Sequence, residues 1–231
     1  MPEETRIAFQ SEFYGSPSHQ YALGDTALLI VDMDYLDTHP AYGVCRRARE
    51  AGADIAYYQS RIALAVANTA KLLEAFRARR MEVIFSRIMC LTGDGRDRSS
   101  AHKNAGILSL PGSREAMILE EIAPRDGELL FSKTVSSVFV GTNIEYVLRN
   151  VGIRTLVVTG VLTSGCVEAA VRDAFDRNYQ VILVEDACAD LVRSFHENAV
   201  QVLRVAAVVT TTKEVLRALR DLDAVCKNTE T

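Results

Sequence analysis

Residues 155–175 read Thr155-Leu156-Val157-Val158-Thr159-Gly160-Val161-Leu162-Thr163-Ser164-Gly165-Cys166-Val167-Glu168-Ala169-Ala170-Val171-Arg172-Asp173-Ala174-Phe175. The opening residues, Thr155–Thr159, form a continuous apolar run with no polar alternation, the pattern of a parallel strand covered on both faces. A turn with glycines at both ends, Gly160 and Gly165, follows. Beyond it Val167, Ala170, Val171, Ala174 and Phe175 fall at helical spacing, and Asn178 is placed to stop the helix. The stretch is a buried strand feeding an amphipathic helix, one half of a βαβ unit.

The same alternation extends in both directions. Further strands are predicted at Ala27–Val31, Glu82–Ser86, Glu128–Ser132, Val181–Val184 and Ala207–Thr210. Ile62, Val66, Thr69, Leu73 and Phe76 share one face of a long helix, and Ile144, Val147, Leu148 and Val151 share one of another, which Gly152 ends. Thr212 reads as the cap of a last helix beginning Lys213-Glu214-Val215-Leu216. Strands alternating with helices predict an α/β fold, a doubly wound, mostly parallel six-stranded sheet. A chain of 231 residues fits one compact domain over 1–231. Two long connections interrupt the alternation. Residues 33–59 carry a short helix near Val44–Glu50, and residues 88–127 are polar and glycine-bearing. Connections of this length are lids, contact arms or variable surface.

Composition excludes several classes of function. The chain is 48% hydrophobic and 24% charged with net charge −4, which suits a soluble globular protein and not a polyanion binder. Met1-Pro2-Glu3-Glu4-Thr5-Arg6 lacks the layout of a signal peptide, and Ala27–Val31 is too short to span a bilayer. Five cysteines, Cys45, Cys90, Cys166, Cys188 and Cys226, include no CxxC pair. This points to a reducing cytoplasm, without a disulfide framework or a zinc site.

In open parallel sheets ligands bind beyond the carboxyl ends of the strands. Asp32 directly follows the first strand, Lys133 the third, and Cys166 the fourth by way of Gly160–Gly165, where it opens the next helix. An acid, a cation and a thiol therefore meet at one sheet edge. A helix N-terminus and Lys133 would both favour the Cys166 thiolate. Asp32 would take the thiol proton and return it to a leaving nitrogen. Backbone N–H groups of Leu162 and Cys166 would form an oxyanion hole. Each residue alone has a plainer reading, as turn cap, solvated lysine or small buried hydrophobe. That plainer reading is taken for Cys45, Cys90, Cys188 and Cys226.

The residues at these points resemble the isochorismatase-like cysteine hydrolases. Ala27-Leu28-Leu29-Ile30-Val31-Asp32-Met33 is similar to their opening strand, which ends in the catalytic aspartate. Lys133-Thr134 with Ser137-Val138-Phe139 and Thr142-Asn143-Ile144 resembles their lysine segment. The stretch 156–167, continued by Ala170, Arg172-Asp173-Ala174 and Glu185-Asp186-Ala187, is the most specific match. The likeness spans about residues 22–215. It implies a three-layer α/β/α fold, an Asp32–Lys133–Cys166 triad and a thioester intermediate. It also implies a cis peptide between Val161 and Leu162 that aims the Leu162 N–H into the oxyanion hole, and a homo-oligomer, dimer or tetramer.

Within that family, nicotinamidases carry an Asp-x-His metal site, whereas His19, His39, His102 and His196 are scattered here. No metal and no cofactor are therefore expected. Isochorismatases proper need no cysteine nucleophile. The surroundings of Cys166 are most similar to the ureido and carbamoyl branch, including N-carbamoylsarcosine amidohydrolase and biuret hydrolase. Carbamoylsarcosine-type enzymes carry Asp-Ala-x-x-Asp-Arg after the fifth strand, where this chain has Asp186-Ala187-Cys188-Ala189-Asp190-Leu191. Leu191 leaves a substrate carboxylate without its arginine unless Arg87 or Arg193 substitutes. The expected function is cleavage of a C–N bond in a small ureido, carbamoyl or amide compound with release of ammonia. A nicotinamidase-, maleamate- or isochorismatase-like hydrolase is the alternative. From a different class, the alternative is a scaffold or a thiol redox sensor.

Overall fold

The computed structural model describes residues 24–229; Met1–Arg6, His19 and the side chain of Cys226 lie outside the described residues. In chain order the elements begin with β1 (Thr26–Val31), α1 (Tyr35–Thr38), α2 (Gly43–Glu50), α3 (Ala56–Ala78) and β2 (Glu82–Ile88). Next come α4 (Ser100–Asn104), β3 (Leu129–Lys133), α5 (Val138–Gly141), α6 (Ile144–Val151) and β4 (Thr155–Val161). The last are α7 (Glu168–Asp176), β5 (Gln180–Ala189), α8 (Arg193–Leu203), β6 (Val208–Thr210) and α9 (Thr212–Thr229).

The six strands form one sheet in the order β3-β2-β1-β4-β5-β6, and every neighbouring pair is parallel. Because successive strand residues face opposite sides, β1 divides its side chains between two cores. Leu28 and Ile30 join Val83, Phe85, Val157 and Ile182 beneath α3 and α9. Ala27, Leu29 and Val31 join Ile84, Leu156, Val158 and Leu183 beneath α5, α6, α7 and the end of α8. The three-layer α/β/α fold is as expected.

Boundaries differ from the sequence reading where tertiary pairing extends a strand. Lys133 is the last residue of β3, not the first beyond it, because it pairs with Ile88. β5 continues past Val184 to Ala189, bulging so that Val158 pairs with Leu183 but Gly160 pairs with Cys188. Val151 and Phe175 are 43% and 46% exposed, so the apolar stripes of α6 and α7 are narrower than their spacing suggests. Gly152, in the left-handed conformation at φ 85°, does end α6. The cap of α9 is Thr211, not Thr212. Thr211 Oγ1 accepts from the Glu214 N–H at 3.4 Å while Glu214 accepts from the Thr211 N–H at 3.0 Å, a reciprocal capping box. Thr212 instead donates its N–H and hydroxyl to Asp186.

The two long connections contain α1, α2, α4 and two short 3₁₀ turns, and they pack on each other. Leu119 N–H donates to Met33 O at 3.1 Å and Tyr35 N–H to Met117 O at 2.9 Å. Arg47 Nη1 donates to Ala105 O and Gly106 O at 2.8 and 3.1 Å. Among the described residues no helix is long and apolar enough to cross a membrane.

Candidate active site

The chain leaves β1 through Asp32, whose φ of 50° is left-handed, a region that aspartate tolerates better than most residues. The Asp32 N–H still donates to Ser86 O on β2 at 3.0 Å, so the turn stays fixed to the sheet edge. Ser86 Oγ donates to Asp32 Oδ1 at 2.8 Å. Lys133 reaches past the end of β2, and its Nζ donates to Asp32 Oδ2 at 2.5 Å, Val135 O at 3.0 Å and Cys166 Sγ at 3.3 Å. Both side chains of the ion pair are fully buried, and Cys166 is partly exposed. The structure thus gathers the acid, the cation and the thiol from three strands.

Cys166 does not start α7. It lies in a single wide turn, Thr163–Val167, in which Gly165 has non-helical φ and ψ of −118° and −108°. Leu162 O accepts from the N–H groups of Gly165 and Val167 at 2.9 and 3.2 Å. Asp190 Oδ2 accepts from the Ser164 N–H at 2.6 Å, and Thr163 Oγ1 pairs with His196 Nδ1 at 2.8 Å. The peptide bond between Val161 and Leu162 is cis, as the resemblance implied. Gly160 has φ 128°, and a Cβ there would lie 2.1 Å from Val31 O. β1 and β4 thus approach backbone to backbone beside the site.

The electrostatics of the group are set by burial and by its two charged members. Burial pushes the Cys166 thiol well up, and the charge of Asp32 adds to this; Lys133 acts in the opposite sense and does not prevail. Burial works against the Lys133 ammonium, but Asp32 and then Cys166 more than offset it, so its pKa is raised. The cation is permanent at any physiological pH.

Two buried carboxylates missing from the sequence reading lie beside this group. Asp34 accepts from the N–H groups of Asp37 and Ile88 at 3.1 and 3.0 Å, capping α1 and pinning the end of β2. Burial, Asp37 and Asp32 hold its pKa well above the usual range. Asp37 on α1 is 6% exposed. Burial and the charge of Asp32 push its carboxyl up to about 7, against Lys133 and Arg47. The signal was present in the sequence: Asp32-Met33-Asp34-Tyr35-Leu36-Asp37 places three acids in a stretch that is otherwise apolar. His102 on α4 is also buried, with Nδ1 unpartnered among the described residues.

The two arginines considered for substrate binding are not free at the site. Arg87 donates from Nε to Ser132 Oγ and from Nη1 to Ala116 O, both at 3.0 Å, tying β2 to β3 and the long connection. Arg193 lies over the Tyr57 ring at 4.9 Å and lines a different opening of about 610 Å³ with Arg61, Glu185 and His196. Cys45, Cys90 and Cys188 are buried, as the plainer reading held. Among the described residues no group of three or more His, Cys, Asp and Glu side chains is arranged to hold a metal ion.

Residues 26–214 match the model of the isochorismatase domain. The chain is 33% identical over 192 residues to the ureidoacrylate amidohydrolase RutB of Rhizobium rhizogenes, covering 76% of this chain and 74% of that one. It is 33% identical over 135 residues to an N-carbamoylsarcosine amidase of an Arthrobacter species, covering 55% and 50%. A solved cysteine hydrolase from Pseudomonas syringae pv. phaseolicola superposes with a TM-score of 0.76 at 25% identity, covering 89% of this chain and 97% of that one. An N-carbamoylsarcosine amidase from Thermoplasma acidophilum does so with a TM-score of 0.65 at 26% identity, over 81% and 96%.

Proposed function

This chain belongs to the isochorismatase domain family, and from that premise we propose that it is a cysteine amidohydrolase of small ureido, carbamoyl or amide compounds. It is a hydrolase of carbon–nitrogen bonds other than peptide bonds, in keeping with its relatives among the amidohydrolases. The observation that carries the finer reading is the Lys133 ammonium, held at once by Asp32 Oδ2 at 2.5 Å and Cys166 Sγ at 3.3 Å.

Attack is coupled to proton transfer from sulfur. Sγ bonds to the carbonyl carbon as its proton passes to the Asp32 carboxylate, and the carbonyl π pair moves onto oxygen. The N–H groups of Leu162 and Cys166 hold that oxyanion, a contribution worth about 3 to 4 kcal/mol per donor in acyl transfer. Collapse breaks the C–N bond while Asp32 protonates the departing nitrogen, which leaves as ammonia or an amine and gives a thioester. Water then attacks the thioester, its proton goes to Asp32, and cleavage of the C–S bond returns the proton to sulfur. Lys133 holds the ionised states of Asp32 and of the passing thiolate throughout.

The test is a kcat/KM panel of biuret, N-carbamoylsarcosine, ureidoacrylate, maleamate and nicotinamide, with ammonia measured and a thioester sought by rapid quench and mass spectrometry. Preference for the ureido compounds with a Cys166 acyl adduct is expected. Preference for nicotinamide or maleamate would overturn the substrate class, and turnover without an adduct would overturn the covalent route.

A further inference from the structure

The turn that carries Cys166, Thr163–Val167, is moored at its first residue by a side chain that takes no part in the chemistry above. Thr163 is fully buried, and its Oγ1 pairs at 2.8 Å with Nδ1 of His196, in the first turn of α8. His196 is itself buried, and its other ring nitrogen, Nε2, meets Arg61 Nη2 from α3 at 2.8 Å. A guanidinium can only donate, so Nε2 accepts and Nδ1 carries the proton that Thr163 Oγ1 receives. Glu185 Oε2 lies 3.5 Å from the same Nε2, but a proton on Nε2 would bring two donors within 2.8 Å of each other. Arg61 is anchored in turn. Its Nε donates to Cys188 O at 2.9 Å, and its Nη2 to Glu185 O at 2.5 Å and Glu185 Oε2 at 3.0 Å. The donors therefore run one way, from Arg61 to His196 to Thr163, starting from an anchor on the bulged end of β5.

We propose that His196 is a positioning residue for Cys166, acting through Thr163. The inference rests on the amidohydrolase reading and deepens it. Thr163 stands between Leu162 and Cys166, whose N–H groups hold the oxyanion in that reading, so a shift at Thr163 displaces both donors and the sulfur together. Its neighbour Ser164 is held by a second side chain of the same segment, Asp190. Asp190 Oδ2 accepts from the Ser164 N–H at 2.6 Å while Oδ1 accepts from the Leu191 N–H at 2.8 Å. The passage from β5 into α8 thus grips the turn at two successive residues. The tolerance is narrow. Lys133 Nζ donates to Cys166 Sγ at 3.3 Å, and a displacement of about 1 Å takes a reacting group out of productive geometry. Any buried hydroxyl needs a partner, so the quantity that marks positioning is the reactivity of Cys166 and not stability.

The experiment uses the full chain with His196→Asn, His196→Gln, Thr163→Val and Thr163→Ser. The Asn amide can take the place of Nδ1 and keep a donor for Thr163, whereas the Gln amide takes the place of Nε2. Two rates are read: alkylation of Cys166 by iodoacetamide at neutral pH, followed on its own peptide by mass spectrometry, and turnover of ureidoacrylate. His196→Gln and Thr163→Val should each slow alkylation about tenfold, the effect of one buried hydrogen bond. The double variant should be no slower than either alone, because both remove the same contact. His196→Asn and Thr163→Ser should stay within about threefold of the parent. The same pattern should appear in kcat with KM nearly unchanged. A lowered melting temperature with alkylation and kcat unchanged would overturn the proposal, as would additive losses in the double variant. Thr163→Val keeps the shape of the side chain, so its contrast with Thr163→Ser decides the matter where His196→Gln does not fold. If the parent turns over no ureide, the amidohydrolase reading falls, and the alkylation series alone upholds or ends the role of His196.

Discussion

At the residue scale, a single ammonium serves both the acid and the thiol. Cys166→Ala should lower kcat by at least about a thousandfold on the true substrate, because groups that act as a unit fail together. Asp32→Asn and Lys133→Ala should be nearly as severe, with unchanged far-ultraviolet circular dichroism for Asp32→Asn. A Cys166→Ala enzyme within tenfold of the parent would exclude a covalent route. A second expectation concerns Asp37 and pH. Its carboxyl is raised in the folded chain to about 7 from a usual 3.8, so the folded state binds the extra proton. Its contribution to stability is therefore fully present below about pH 4, is lost as pH rises through about 7, and then levels off. Asp37→Asn should match the parent at pH 4 and be more stable at pH 8, by at most about 4 kcal/mol. A melting-temperature series from pH 4 to 8 reads this, and a constant difference across it would contradict the assignment. Asp32, Lys133 and Cys166 were legible because each follows or ends an unbroken apolar run. Asp34 and Asp37 were passed over although three acids crowd that stretch, since acids after a strand read as solvated turn residues until burial is known.

Elements place the site through backbone contact as much as through side chains. Gly160 lets β4 approach β1, and an added methyl would fall 2.1 Å from Val31 O. Gly160→Ala should cost more than about 3 kcal/mol by combining strain at positive φ with a clash. Gly152→Ala, with nothing within 4 Å of the added Cβ, should cost only about 1 kcal/mol from its conformation. Urea titration of both variants checks the contrast, and equal losses would show that the β1–β4 approach is not limiting. Strand existence was legible from apolar runs. Strand length was not, because β5 bulges through Glu185 and Asp186 and resumes its pairing with β4 at Cys188 and Ala189. Carbonyl oxygens of Glu185 and Cys188 on that extension accept from Arg61 at 2.5 and 2.9 Å, a contact no local pattern announces.

For the whole molecule, the order β3-β2-β1-β4-β5-β6 puts the reversal of winding between β1 and β4, and the thiol and its two partners straddle it. Loss of either half of the sheet dismantles the site. In urea, activity and ellipticity should therefore fall at one midpoint; activity lost well before ellipticity would mean that the two halves of the sheet come apart separately. The central position of β1 also has a consequence for the chain as it is made. β1 pairs with β2 on one side and β4 on the other, but β2 ends at Ile88 and β4 at Val161. At about 5 to 20 residues per second, the 73 residues between those ends (161 − 88) take the ribosome about 4 to 15 s to add. Throughout that interval the most apolar strand of the nascent chain has one edge unpaired. Sheltering that edge until β4 is made is therefore a requirement on the chain during its synthesis.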